Sequence, residues 1–414
     1  MHTFDHDDIE NIGLQTNGGG QGASTHIRAV HEEFFSECFL YIVSNFTHLD
    51  RVNNFHYKQV AKKAAALGCH YNKMIVFWEL HMNESSRPTV VILATGGTIA
   101  GQGTTGTQMT GYHVGDVGVD ALIEAVPQLT DYAQIRGEQI ANIQSSSMTD
   151  KILLRLAKRV NEVLEDDSVT GVVITHGTDT LEETAYFLNL TVKSAKPVIV
   201  VGAMRPSTAI SADGPINLLN AVRLATDPVA IDRGVMIVLN DEINGARDCT
   251  KTNTTSLATF KAPEAGLLGY IAGGRHYFIK KTAMHHTVHT EFDVRNLEVL
   301  PRVDIVYSYI NADDIMVRAA MTAGAKGIVH AGTGNGSVHD DTLGALFDAR
   351  DHGIAVVRAS RVGNGVVTED SEEWTDAGLL DAATLNPQKS RILLQLGLTI
   401  TDDPIQLQRM FYEY

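Results

Sequence analysis

The sequence predicts an α/β protein: a larger N-terminal domain on a mostly parallel sheet with helices on both faces, then a smaller C-terminal α/β domain. Three observations predict it. From Pro88 onward, short runs rich in β-branched apolar residues alternate with longer segments of helical character. The runs end in glycine or in glycine–threonine turns. A polar stretch rich in histidine and threonine, residues 280–301, breaks the alternation once and divides the chain.

The first 87 residues stand apart from this pattern. Asn17-Gly-Gly-Gly-Gln-Gly22 reads as a flexible linker, and residues 31–67 follow neither the helical nor the strand period. Residues 1–87 are read as an extension of unknown role, either disordered or a mis-assigned start, with Met82 as an alternative start. The N-terminal domain then spans 88–279. Val90-Val-Ile-Leu-Ala94 is its first strand, and Thr149-Asp150 starts a helix running to about Leu164. Val169 to Ile174 is a buried strand and Glu182 to Thr191 the helix after it; Pro197 to Gly202 and Gly234 to Leu239 repeat the strand pattern. Residues 280–301 read as a linker. The C-terminal domain, 302–414, carries short strands at Val303 to Tyr307, Gly327 to His330 and Ile354 to Val357.

Composition narrows the function. Of 414 residues, 44% are hydrophobic and 20% charged, enough to fill a sizeable core. The net charge of −16 argues against a general binder of nucleic acid or anionic membrane, which needs a basic surface. The three cysteines, Cys38, Cys69 and Cys249, are far apart and lack metal spacing, so neither a disulfide framework nor a zinc site is predicted. The longest apolar runs, Cys38 to Val43 and Met74 to Trp78, fall far short of the roughly 20 residues of a membrane span. The N-terminus, with Asp5, Asp7 and Asp8, does not resemble a secretion signal. As written, the chain is expected in the cytoplasm; a mis-assigned N-terminus would leave the periplasm open.

Two loops carry the chemistry. Ala94-Thr-Gly-Gly-Thr-Ile-Ala100 and Thr175-His-Gly-Thr-Asp-Thr180 each place glycine and then threonine just after a buried strand. Ligands in open α/β sheets bind beyond the carboxyl ends of the strands. Glycine there permits a tight turn and close approach to the backbone, whose N–H groups can hold an oxyanion. One such turn is ordinarily only a turn; two, with a carboxylate in the second, point to a small-ligand α/β enzyme. A threonine hydroxyl needs a base to become a nucleophile. Lys251, in Arg247-Asp-Cys-Thr-Lys-Thr-Asn253, is one candidate, since a lysine in a water-poor site can act as a base. Tyrosines and carboxylates on neighbouring loops are others.

From about Pro88 to Tyr414 the chain resembles the bacterial type II L-asparaginases and glutaminase-asparaginases. The resemblance is carried by Ala94 to Gly101, Ile174 to Thr180, Val201-Gly-Ala-Met-Arg-Pro206, Lys251-Thr-Asn-Thr-Thr255 and Thr384-Leu-Asn-Pro-Gln388. It implies an amidohydrolase that converts L-asparagine to L-aspartate and ammonia through an acyl-enzyme, with L-glutamine as a side substrate. By that resemblance Thr98 is the nucleophile, and Tyr112, on the following loop, helps to activate it. Thr178, Asp179 and Lys251 form a second hydroxyl–carboxylate–base set. Ser145 and Ser146 hold the substrate α-carboxylate, Asp179 its α-ammonium, and Ala203 lies beside the amide. The resemblance further implies a homotetramer in which Glu372, Asn335 and Ser337 act on a neighbouring subunit's site, without metal or organic cofactor. Ser146 and Ser337 stand where many members carry glutamine and asparagine, and Ser194 stands where some carry a disulfide cysteine.

Other signals are weaker. Gly101-Gln-Gly-Thr-Thr-Gly106 matches the dinucleotide fingerprint literally, with Asp120 beyond it, but no helix is predicted directly after it; a mobile lid is the better reading. His285, His286 and His289 lie in the linker and read as surface residues. His176 reads as a structural histidine. Two alternative functions stay open: an asparaginase-like subunit of a tRNA-dependent amidotransferase, and a non-catalytic amino-acid-binding protein on the same fold.

Overall fold

Strand β1 (Thr89–Gly96) is buried along its whole length, as a central parallel strand covered on both faces must be. The computed structural model describes residues 87–101, 103–108, 118–369 and 372–414. The extension, Cys38, Cys69 and Tyr112 lie outside the described residues.

Around β1 the N-terminal sheet adds β2 (Gln134–Ile143), β3 (Val169–Thr175), β4 (Val198–Val201) and β5 (Val235–Leu239), all parallel, in the order β5-β4-β3-β1-β2. Three short strands extend it antiparallel beyond β5: β6 (Glu242–Gly245), then β9 (Gly269–Ala272), then β10 (Arg275–Phe278). Between them, β7 (Thr250–Lys251) and β8 (Phe260–Lys261) form a separate two-stranded ladder. No apolar run marks β2 in the sequence, because its outward positions are polar; only Ile140 of its ten residues is buried.

Strand alternation divides the interior into two layers. On one face Val91 and Leu93 meet α2 (Asp150–Glu165) and α3 (Leu181–Thr191); on the other Val90 and Ile92 meet α1 (Val119–Glu124) and α4 (Gly214–Ala225). Helix α2 begins where its sequence predicts, with the Thr149 hydroxyl accepting from Ile152 N at 3.4 Å.

The C-terminal sheet is parallel, in the order β11 (Val303–Tyr307), β12 (Gly327–Gly332), β13 (Ala355–Ser360), β14 (Leu380–Asp381). Helices α5 (Ile315–Thr322) and α6 (Asp340–Asp351) cover one face. The short α7 (Glu372–Asp376) precedes β14, and α8 (Pro387–Gly397) and α9 (Pro404–Glu413) close the chain. Helix α8 packs on β11 and β12 and also on α3, so the two sheets share one apolar layer. Residues 280–301 contribute Phe292, Val294 and Leu300 to that layer. The connection is polar in sequence yet anchored by these three apolar side chains, with His286 and Thr287 buried beside them in the chain. No helix among the described residues is long and apolar enough to cross a membrane.

Candidate active site

The strand order places β1 between β2 and β3, the point at which the chain switches direction across the sheet. A crevice opens at the carboxyl ends of strands at such a point. Four loops meet there: those after β1, β2, β3 and β4.

The β1 and β3 loops touch through backbone. Gly97 has φ +87°, and a Cβ on it would lie 2.2 Å from Gly177 Cα. No side chain fits between these loops, so the glycines bring Thr98 and Thr178, each the next residue, onto adjoining turns. Thr98 opens a 3-10 turn, Thr98–Ala100, and is buried, as is Thr178. The β2 loop locks in from the side: Ser145 Oγ accepts from Asp179 N at 3.1 Å, and Thr180 Oγ1 donates to Ser145 O at 2.8 Å. Ser145 is buried and its neighbour Ser146 exposed, both on the turn Ser145–Ser147.

Lys251, on β7, completes the group. Its Nζ donates to Thr178 Oγ1 at 3.0 Å and to Asp179 Oδ1 at 2.7 Å. The Lys251 side chain is 17% exposed and that of Asp179 64%. An ion pair this open to water adds little stability. Its consequence is orientation, with one amine held against a hydroxyl and a carboxylate. An amine so placed can take the Thr178 proton while Asp179 steadies the charge that results.

The β4 loop contributes Ala203, fully buried. Its turn is stiffened by Asp213, whose carboxylate accepts from Met204 N at 3.0 Å and Arg205 N at 2.9 Å, and by Asn217 Nδ2, which donates to Gly202 O at 3.1 Å. A Cβ on Gly202 would lie 3.1 Å from Thr178 Cγ2, so this turn abuts the second threonine loop. The first part of the loop after Ala100 is tied to the β4 side as well: Ser207 N donates to Gly101 O at 3.0 Å and Ile210 N to Gly106 O at 2.8 Å.

His176 is fully buried. Its Nδ1–H donates to Gly177 O at 2.7 Å and its Nε2 accepts from Thr184 Oγ1 at 2.9 Å. Burial, partly opposed by the Gly177 hydrogen bond, lowers its pKa to about 4. A neutral ring with both nitrogens engaged is a brace for the loop. Of the linker histidines His285 and His289 are exposed as read, but His286, just before the turn Thr287–His289, is buried, stacking edge to face on His289 at 5.7 Å; no group of three metal-ligating side chains occurs among the described residues.

Asn335, Ser337 and Glu372, the remaining predicted residues, are all exposed and lie in the C-terminal domain. Ser337 pairs with Thr333 across a tight turn. Asn335 exchanges hydrogen bonds of 3.0 Å with the Thr368 hydroxyl and backbone N. Buried Arg358 donates to Asn335 O at 3.3 Å and Thr368 O at 3.1 Å, and its guanidinium lies 4.5 Å from the ring centre of Trp374, on α7, the helix that Glu372 begins. Sequence reasoning missed Arg358, which holds the Asn335 segment, and missed Asp213, Asn217 and Glu182 behind the threonine loops. Each acts through partners remote in the chain, and no local pattern marks it.

Residues 89–284 match the family model described as asparaginase, N-terminal, and residues 302–411 that of the glutaminase/asparaginase C-terminal domain. L-asparaginase 2 of Bacillus subtilis (strain 168) is 54% identical, over 79% of this chain and 87% of that protein. A glutaminase-asparaginase of Pseudomonas fluorescens biotype A is 48% identical, over 78% of this chain and 90% of its own length. The crystal structure of a probable cytoplasmic L-asparaginase from Campylobacter jejuni superposes with a TM-score of 0.77 at 49% identity, covering 79% of this chain and all of that one. With the threonine–lysine–aspartate group at the switch point of the sheet, these matches show that the chain belongs to the asparaginase family.

Proposed function

We propose that the protein hydrolyses L-asparagine to L-aspartate and ammonia, with glutaminase activity on the side. The observation that carries this reading is the contact of Lys251 Nζ with both Thr178 Oγ1 and Asp179 Oδ1, beside the loop that bears Thr98. Thr98 Oγ attacks the side-chain amide carbon; the C–N bond breaks and ammonia leaves with a proton supplied from the site. Water then attacks the resulting ester, and the C–O bond to Thr98 breaks as its hydroxyl is restored. Tyr112 and the Thr178–Lys251 pair serve the proton transfers. Ser145 and Ser146 receive the α-carboxylate, Asp179 the α-ammonium, and Ala203 lines the amide.

The functional unit is a homotetramer whose sites are completed by Glu372, Asn335 and Ser337 of a neighbour. Supporting this, Tyr307, Tyr309, Ile310, Ile315 and Met316 are exposed together along the edge strand β11 and the start of α5, an apolar surface of the kind that subunit contacts cover. The catalytic part comprises 88–279 and 302–414, joined by 280–301, with 1–87 dispensable for the reaction. A cytoplasmic location agrees with the description of the Campylobacter jejuni relative. The test is ammonia release from asparagine and from glutamine by the full chain, by a chain starting at Met82, and by Thr98→Ala, Thr178→Ala and Lys251→Met. The first two should match, and each variant should fold and lose most of the activity. Wild-type turnover by Thr98→Ala would overturn the nucleophile assignment.

A further inference from the structure

The first turn of α3 carries a buried carboxylate that the reaction scheme leaves without a role. Glu182 lies just beyond Asp179 and is 4% exposed. Its two oxygens accept from four groups: the Thr250 hydroxyl at 2.8 and 2.9 Å, Lys251 N at 2.6 Å, Asn386 Nδ2 at 3.0 Å and Gln388 Nε2 at 2.8 Å. Burial raises the pKa of this carboxyl, but the charge of Lys389 and these hydrogen bonds outweigh it, and the group stays below the usual carboxylate range.

Lys251 is thereby held at both ends by one short segment. Glu182 takes its backbone N–H, while Thr178 and Asp179 take its Nζ. The approach to Lys251 is fixed too. Fully buried Lys389 donates to Arg247 O at 2.8 Å and to Cys249 O, the carbonyls just before β7. Asn386, Gln388 and Lys389 all sit at the N-terminus of α8, where Asn386 is also the helix cap. The C-terminal domain therefore reaches behind the site and grips the strand that carries the base. This gives the Thr384–Gln388 motif a physical task that its sequence alone does not reveal.

We propose that Glu182 is a positioning residue for Lys251, locked in place by the Asn386–Lys389 segment of the C-terminal domain. The inference rests on the role given to Lys251 under the proposed function. The lysine stem is flexible, so when its backbone is no longer held Nζ can settle on the exposed Asp179 carboxylate alone, and proton transfer with Thr178 is lost. A carboxylate suits the position because its donors converge from several directions and the buried Lys389 requires an opposite charge.

The test uses the full chain and two variants. Glu182→Gln keeps the shape, removes the charge and turns an amide NH2 toward one set of donors. Gln388→Ala removes one donor from the C-terminal side at a half-buried position. With asparagine as substrate, Glu182→Gln should lower kcat by about tenfold or more, and Gln388→Ala by a few fold, with KM within about twofold of wild type in both. A purely structural role would lower the urea midpoint and leave kcat per folded site unchanged. Should Glu182→Gln fail to fold, Gln388→Ala decides by the same kcat-against-KM split. Wild-type kcat in the folded variants, beside an inactive Lys251→Met, would overturn the positioning role and spare that of Lys251. An active Lys251→Met would overturn the role of Lys251 itself.

Discussion

Gly97 and Gly177 explain why two ordinary-looking turns form one site. The positive φ of Gly97 is a conformation that L side chains rarely adopt, and its Cα faces Gly177 with no space for a methyl group. Gly97→Ala combines backbone strain with overlap against main chain that cannot move aside, and should cost on the order of 3 kcal/mol or more. The urea midpoint measures this, and the folded fraction should also release ammonia much more slowly, because Thr98 is the next residue. An unchanged midpoint would mean that the loops are not in contact. Thr149→Ala offers a contrast. It removes one hydroxyl acceptor from an exposed position at the start of α2, two residues beyond the Ser145–Ser147 turn, and should cost about 1 kcal/mol with a much smaller effect on kcat than Gly97→Ala.

Among the elements, the turn after β4 depends most on residues outside itself. Asp213, at the cap of α4, ties down Met204 N and Arg205 N, and Asn217, in the helix, holds Gly202 O. Asp213→Ala should free the Ala203 segment and raise KM for asparagine severalfold with a smaller change in kcat; steady-state kinetics at saturating and limiting substrate distinguish the two. This turn also shows which features a sequence reveals. The buried parallel strands were legible because a strand covered on both faces is a continuous β-branched run, as in Val198–Val201 and Val235–Leu239. Threonine after glycine at two strand ends marked the site. Strand β2 left no such trace, since an edge strand facing water can be polar. The partners of Glu182 were illegible for another reason: Lys251 and Gln388 lie far along the chain, and only the packing of α8 on α3 brings them to it. Short-range patterns report what a residue does for its own element, whereas a buried carboxylate reports what several elements do together.

At the scale of the whole molecule, buried titratable groups set the response to pH. His176 and His330 are fully buried. Burial lowers the His330 pKa from its ordinary 6.5 to about 4, with the neighbouring Arg358 acting in the same direction, and His176 is lowered likewise. Neither ring nitrogen of His330 has a hydrogen-bond partner among the described residues. Between pH 6.5 and 4 the unfolded chain binds these protons and the native state does not. The stability they contribute is complete above 6.5 and is lost as pH falls toward 4. Glu183 works the other way. Burial, with Glu182 beside it, raises its carboxyl from 4.5 to about 7 against the opposing charges of Arg391 and Lys389, so its contribution is complete below 4.5 and lost as pH rises to 7. Where the windows overlap, the histidines oppose one glutamate, and His286, whose pKa burial also lowers, adds to their side. Net stability should therefore fall on acidification, by about 1.4 kcal/mol per pH unit for each uncompensated proton. His330→Leu removes one histidine, at a position where an apolar side chain of similar size meets Ile328 and Val356 on the same sheet face. With one opposing histidine removed, the variant should lose less of its urea midpoint between pH 6.5 and pH 5 than the wild type does. Equal slopes in the two proteins would assign the acid sensitivity to groups other than His330.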